Sequence, residues 1–256
     1  LINSAKCSIF FIDEDQRVTL KDVGTKAAIR AFAAARGAVV EEYALTSQFR
    51  CAGSDGYLAW VDDVLQIKAT ANGSLEDIPF DFQVFDDPEE MHAAIEAKNG
   101  ANRARVVAGY CWPWNSKKDS KQIDVVIGDY QRQWNLDQDG SLWITAPHSV
   151  QQVGCIHTCQ GLEVDYIGVI IGPDLVMDGE QLATRPRARD RHDKTMKGFV
   201  KMSKEQPAEA ARQADMIIKN TYRTLMTRGM KGCYVYATDA KLAAYLRSRG
   251  KQTQSA

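Results

Sequence analysis

"VDYIGVII", Val164 to Ile171, is the stretch on which the fold turns. It is rich in β-branched and aromatic residues, too short for a buried helix, and stopped by Gly172 and Pro173, so it reads as a strand buried on both faces. Such strands belong to a mostly parallel sheet covered by helices. Outward from it, apolar runs ended by turn residues alternate with segments of helical period, the arrangement of an α/β protein.

Upstream, "CSIFFID" (Cys7 to Asp13) has the length and composition of a buried strand. Thr25 caps an expected helix carrying Ile29 and Phe32 and stopping at Gly37. "AVVEEYALT" (Ala38 to Thr46) should return to the sheet, and Ser54 should precede a helix with Leu58, Val61 and Leu65 on one face. Asp87 and Pro88 form a cap and first-turn pair for a helix through Met91 and Ile95 that ends at Gly100. "RVVAGYC" (Arg105 to Cys111) is the next strand. From Trp112 to Pro147 the signal weakens, and "KQIDVVIG" and "SLWIT" read as edge strands of an insertion.

Downstream, "LATRPRARDRHDKTMKGF" reads as a basic loop. A long helix from about Pro207 places Ala211, Ala214, Ile218, Tyr222 and Leu225 on one face, with Gly229 suited to its C-terminal cap. "CYVYAT" is a strand, Asp239 caps a last helix with Leu242 and Leu246, and the final residues look like a frayed tail.

Composition sets the limits. The chain has 256 residues, 45% hydrophobic and 25% charged, which describes ordinary globular domains and excludes disorder of the whole. Its net charge of −1 means that a polyanion must be met by a local basic patch. Six scattered cysteines without a Cys-x-x-Cys pair read as reduced thiols of a cytoplasmic protein. No apolar run reaches the ~20 residues of a membrane span, so no membrane partner is expected. A start at Leu1 without methionine is expected of a fragment.

The polar residues sit ahead of the central strand, in "GCIHTCQGLE". A zinc site would need His157 with Cys155 and Cys159, yet the spacing supplies no fourth ligand, and no metal site is expected. A thiol enzyme would need a base that singles out Cys159, and none does. A loop handling nucleotide or nucleic acid uses every polar group: Gly161 lets backbone approach a ligand, Gln160 and Glu163 offer donors and acceptors, and His157 and Thr158 can reach phosphate or ribose. A plain polar loop before a strand is the bland alternative.

"HTCQGLE" resembles motif V of superfamily 1 helicases, His-x-x-(Lys/Gln)-Gly-x-Glu. "NTYRTLMTRGMKGCYVY" (Asn220 to Tyr236) is similar to motif VI, Tyr-x-x-(Leu)-x-Thr-Arg, whose arginine reaches the γ-phosphate; a guanidinium suits phosphoryl oxygens through its fixed fork of donors. "LTSQFRC" (Leu45 to Cys51) resembles motif IV. "FFIDEDQ" (Phe10 to Gln16) looks like motif III, a strand followed by Asp-x-x-Gln, and no G-x-x-x-x-G-K-[ST] occurs anywhere.

In order and wording these stretches resemble the bacterial Schlafen-group-3-like DNA/RNA helicase domain family, long known only as a domain of unknown function. The resemblance implies a RecA-like parallel sheet flanked by helices, with a small β-rich insertion near 112–147. Residues 1–48 would end a first lobe and 49–256 would form the second. It implies a DNA or RNA partner, with ATP and Mg²⁺ held mainly by a missing N-terminal lobe, itself open to fusion with a nuclease or another domain.

Arg228 and Gln16 would act in catalysis. Arg50, Gly161, Glu163 and Gln160 would line the nucleotide. His157 and Thr158, with Arg187 and Arg189 of the basic loop, would touch nucleic acid. The intact protein is then expected to be an ATP-dependent helicase or translocase, and this piece alone to be inactive. A module that kept the fold without turnover is the alternative. Two further features stay open: "YCWPWNSKK" and "DYQRQWN" interleave Trp112, Trp114, Tyr130 and Trp134 with Lys117, Lys118 and Arg132, fit for stacking bases or for packing a core rim, and the Arg185 to Lys197 loop is fit to contact a nucleic-acid backbone or to stand as a solvated insertion.

Overall fold

The computed structural model describes residues 4–13, 17–20, 25–43, 55–135, 143–159 and 163–250. Its centre is a five-stranded, all-parallel sheet in the order β1-β9-β6-β2-β5. The strands are β1 (Asp81–Phe85), β2 (Ala104–Ala108), β5 (Val153–Gly154), β6 (Val164–Ile171) and β9 (Gly229–Ala237). β6 occupies the middle, as its apolar run from Tyr166 to Ile171 demands.

The period-two alternation of side chains separates two cores. On one face Val107, Ile167, Val169, Cys233 and Val235 pack beneath α2 (Asp55–Val64), α6 (Pro207–Met226) and α7 (Ala240–Arg249). On the other, Val106, Ala108, Ile170 and Tyr234 meet Met91 and Ile95 of α3 (Pro88–Ala97). Gly168 belongs to this second face, because a Cβ there would lie 2.9 Å from Ile95 Cγ1. Three N-terminal caps read from sequence hold. The side chains of Thr25, Asp87 and Asp239 each accept from backbone N–H groups at the starts of α1 (Lys26–Ala34), α3 and α7.

Several expectations are corrected. Residues 7–13 form no strand, with Ile9 and Phe11 77% and 85% exposed. Residues 38–43 likewise form none, Val39 being 91% exposed; 44–46 lie outside the described residues. Both runs have strand composition but no ladder beside them among the described residues. Of "SLWIT", Ser141 and Leu142 lie outside the described residues, and Trp143 to Thr145 make a tight 3-10 turn rather than a strand, held where the Arg105 guanidinium donates to the Ile144 carbonyl. "KQIDVVIG" supplies β3 (Val125–Ile127), which pairs antiparallel with β4 (Tyr130–Arg132).

The basic loop begins as a hairpin, β7 (Leu175–Asp178) with β8 (Gln181–Thr184), turning at Gly179 with φ +62°. After it come short 3-10 turns and α5 (Phe199–Glu205). α3 ends at Ala97 rather than at Gly100. Thr227, not Gly229, caps α6; Gly229 opens β9, where a Cβ would lie 2.1 Å from the Gly232 carbonyl oxygen. Ala211 faces solvent, while Ala214, Ile218, Tyr222 and Leu225 are buried as expected. No described helix is long and apolar enough to cross a membrane.

Candidate functional site

Two parallel strands start side by side. β6 follows "HTCQGLE", β9 follows "MTR", and their register begins with Val164 opposite Gly229. The Val164 N–H donates to the Arg228 carbonyl at 3.0 Å, so the strand that follows Glu163 and the arginine that follows the α6 cap are joined by one backbone bond. α2 supports this edge from behind: the Tyr57 hydroxyl donates to the Met226 carbonyl at 3.0 Å, satisfying one of the carbonyls an α-helix end leaves open.

Arg228 is 2% exposed, and its Nε donates to the Thr224 carbonyl at 2.9 Å. Thr227 Oγ1 donates to the same carbonyl at 3.2 Å. Burial pushes the neighbouring Cys159 thiol up, partly offset by the Arg228 charge, so Cys159 is a neutral wall of the site. Glu163 is exposed. Outside it, Asp165 is bound by Lys231 Nζ at 2.8 Å and Arg103 Nε at 2.7 Å, and these bonds hold its carboxyl below the usual range.

His157 and Thr158 lie in α4 (Ile156–Cys159), a single turn between β5 and the start of β6. His157 is exposed. Thr158 Oγ1 donates to Asn135 Oδ1 at 2.8 Å and lies 3.2 Å from Cys155 Sγ. Asn135 comes from the stretch after β4, so the insertion touches this turn. Gln16, Arg50, Gln160 and Gly161 lie outside the described residues. The carbonyl of Arg17 accepts from Asn220 Nδ2 at 3.1 Å, which ties Arg17 to α6.

Arg187 and Arg189 are elsewhere. The Arg185 N–H donates to the Asp174 carbonyl at 2.7 Å, beyond the carboxyl end of β6, whereas Arg228 sits at its amino end. With about 3.3 Å per residue the strand separates the two by roughly 25 Å. Arg187 is exposed. Arg189 is buried, its Nε 2.8 Å from Asp193 and 3.6 Å from Asp174, and this corrects the expectation that it faces nucleic acid. Burial disfavours its charge, but the carboxylates of Asp193 and Asp174 more than compensate and hold its pKa up. Asp174 also accepts from the Tyr222 hydroxyl, which in turn accepts from the Gly172 N–H at 3.0 Å.

Residues 1–239 match the protein family described as "Schlafen group 3, DNA/RNA helicase domain". The chain belongs to this family. A Saccharomyces cerevisiae relative, "Uncharacterized protein YPL245W", is 29% identical over 226 residues, which cover 82% of this chain and 48% of the relative. The chain therefore spans about half the length of the curated relative it matches. That relative is eukaryotic, and the bacterial setting expected above finds no support in it. No solved structure matches the chain.

Family membership carries a helicase-related role for a domain built on a parallel α/β sheet. Sequence reasoning missed Tyr57, Asn135 and Asp174, which hold the site and the basic loop in place. Their partners lie far along the chain, at Met226, Thr158 and Arg189, and no local pattern announces them.

Proposed function

We propose that residues 49–256 of this chain are the second RecA-like lobe of an ATP-dependent helicase or translocase acting on DNA or RNA. The observation that carries the reading is the backbone bond from Val164 to Arg228, which makes neighbours of the two stretches whose wording resembles motifs V and VI. In this reading Glu163, with Gln160, Gly161 and Arg50, lines the nucleotide, and Gln16 approaches from the first-lobe side. His157 is the exposed contact to the nucleic-acid strand, with Thr158 anchored behind it on Asn135.

The donor chemistry suits a phosphate. A guanidinium at the start of a parallel strand presents a fixed fork of N–H groups to phosphoryl oxygens. Arg228 must leave its seat on the Thr224 carbonyl to do so, and this rearrangement would couple the cleft to the end of α6. In this reading Mg²⁺ is held mainly by the N-terminal lobe together with the nucleotide phosphates. When bound, ATP supplies the phosphoryl-transfer energy.

Residues 1–48 are read as the end of that partner lobe. Ile9, Phe11 and Val39, exposed on runs of strand composition, support this. The second reading, a module that keeps the fold without turnover, draws on the 2% exposure of Arg228.

The test is ATP hydrolysis by the full-length protein, with and without single-stranded oligonucleotide. A motor hydrolyses ATP and loses about 100-fold or more of the rate in Arg228→Lys and Arg228→Ala, with circular dichroism and oligonucleotide binding retained. Absence of hydrolysis in the wild type, or rates indifferent to Arg228, rejects the motor in favour of the module.

A further inference from the structure

We propose that the carboxyl-terminal end of the sheet is a binding surface for single-stranded nucleic acid, separate from the β6–β9 edge, where Arg187 and Arg191 hold phosphates and Trp112 and Trp114 receive bases. Two stretches far apart in sequence meet there. The Asp190 N–H donates to the Tyr110 carbonyl at 3.0 Å, and this lays the arginine-rich run alongside the tryptophans that follow β2.

The run is held from inside. Arg189 turns into the protein and is clamped by Asp193 and Asp174, while Arg185, Arg187, Arg191 and Lys194 face solvent. None of these four forms an ion pair with a described residue. Unpaired surface arginines in a chain of net charge −1 concentrate positive potential on one end of the molecule.

The aromatic half lies next to it. Trp134 is fully buried, Tyr110 stacks on it at 5.4 Å, and Trp112 and Trp114 flank it at 6.5 and 6.4 Å. Trp112 and Trp114 are half-buried, so part of each side chain is exposed, and Lys117 Nζ stands 5.1 Å from the Trp114 ring centre. Rings fixed from behind beside a cationic track match unstacked bases and their phosphates. A duplex hides its base faces and would use only the cations. The surface needs neither nucleotide nor a second lobe, so it stands whether or not the cleft turns over ATP.

The experiment measures binding of about twenty-nucleotide oligo(dT) and oligo(rU), and of a duplex of the same length, by tryptophan fluorescence without ATP. Trp60, Trp134 and Trp143 are fully buried, so quenching on binding reports on Trp112 and Trp114. Wild type should bind at least one single strand with quenching, several-fold more tightly than duplex; the tighter of the two identifies DNA or RNA as the source.

Arg187→Ala/Arg191→Ala should weaken binding about tenfold or more and lower the log–log salt slope by roughly 1.4, two single-strand phosphate contacts. Trp114→Phe should reduce the quench with the thermal midpoint held, and Lys68→Ala/Lys241→Ala should bind as wild type. An unchanged salt slope in the arginine pair, equal affinity for duplex, or no binding of either single strand overturns the proposal.

Discussion

Arg189 shows how far a single residue's environment escapes its sequence neighbourhood. In "RPRARDR" the arginines look alike, and the one that turns inward does so because Asp174, across the β7–β8 hairpin, waits at the end of β6. Its removal strands two carboxylates in the interior. Arg189→Ala is therefore expected to cost about 3–5 kcal/mol, read as a fall in the urea midpoint, while Arg187→Ala should stay within about 0.5 kcal/mol. Arg228 was legible by wording, since Tyr222, Leu225, Thr227 and Arg228 fall in one recognisable pattern. Its burial was not, because the Thr224 carbonyl that holds Nε belongs to the geometry of a helix end rather than to any residue type.

At the scale of elements, long runs and capped helices were readable and short strands were not. β6, α6 and the Asp87–Pro88 start of α3 carry their own signals. β5 is two residues long and exists through its pairing with β2, and β1 was overlooked because it earns its place only at the edge of β9.

The α3 contact to the insertion has a measurable signature. His92 is fully buried, one ring nitrogen 2.8 Å from the Tyr130 hydroxyl and the other 2.7 Å from the Val150 carbonyl. Burial lowers its pKa below 6.5, so the neutral ring is the folded form. The unfolded chain then binds the extra proton first: this contribution to stability is complete above pH ~6.5 and is lost as pH falls through the window down to the lowered folded value. Urea midpoints across that window should drop for wild type and drop less for His92→Gln. Gly229→Ala should destabilise too, because its Cβ meets the Gly232 carbonyl at the bulged start of β9.

Across the whole molecule, the two-faced parallel sheet followed from the alternation of apolar runs and helices. The fate of residues 7–13 and 38–43 did not, because strand composition says nothing of whether a neighbouring strand is present. Exposure there sets an expectation for this chain. Phe11→Ser and Val39→Ser should each change its stability by less than about 0.5 kcal/mol, against 2 kcal/mol or more for Val169→Ser, in the same urea titration. Large losses from the first pair would mean that those runs are covered. The basic patch and the tryptophans were both visible as compositional oddities, but only the bond from Asp190 to Tyr110 puts them on one surface.

The pairing of Asp81 with Gly232 also dictates a timetable for synthesis. A ribosome must deliver residues 82 to 232 before the edge at Asp81 finds its match, and at roughly 5–20 residues per second that wait is on the order of ten seconds. Throughout it, the nascent segment around Phe82 and Val84 is a natural client for chaperones.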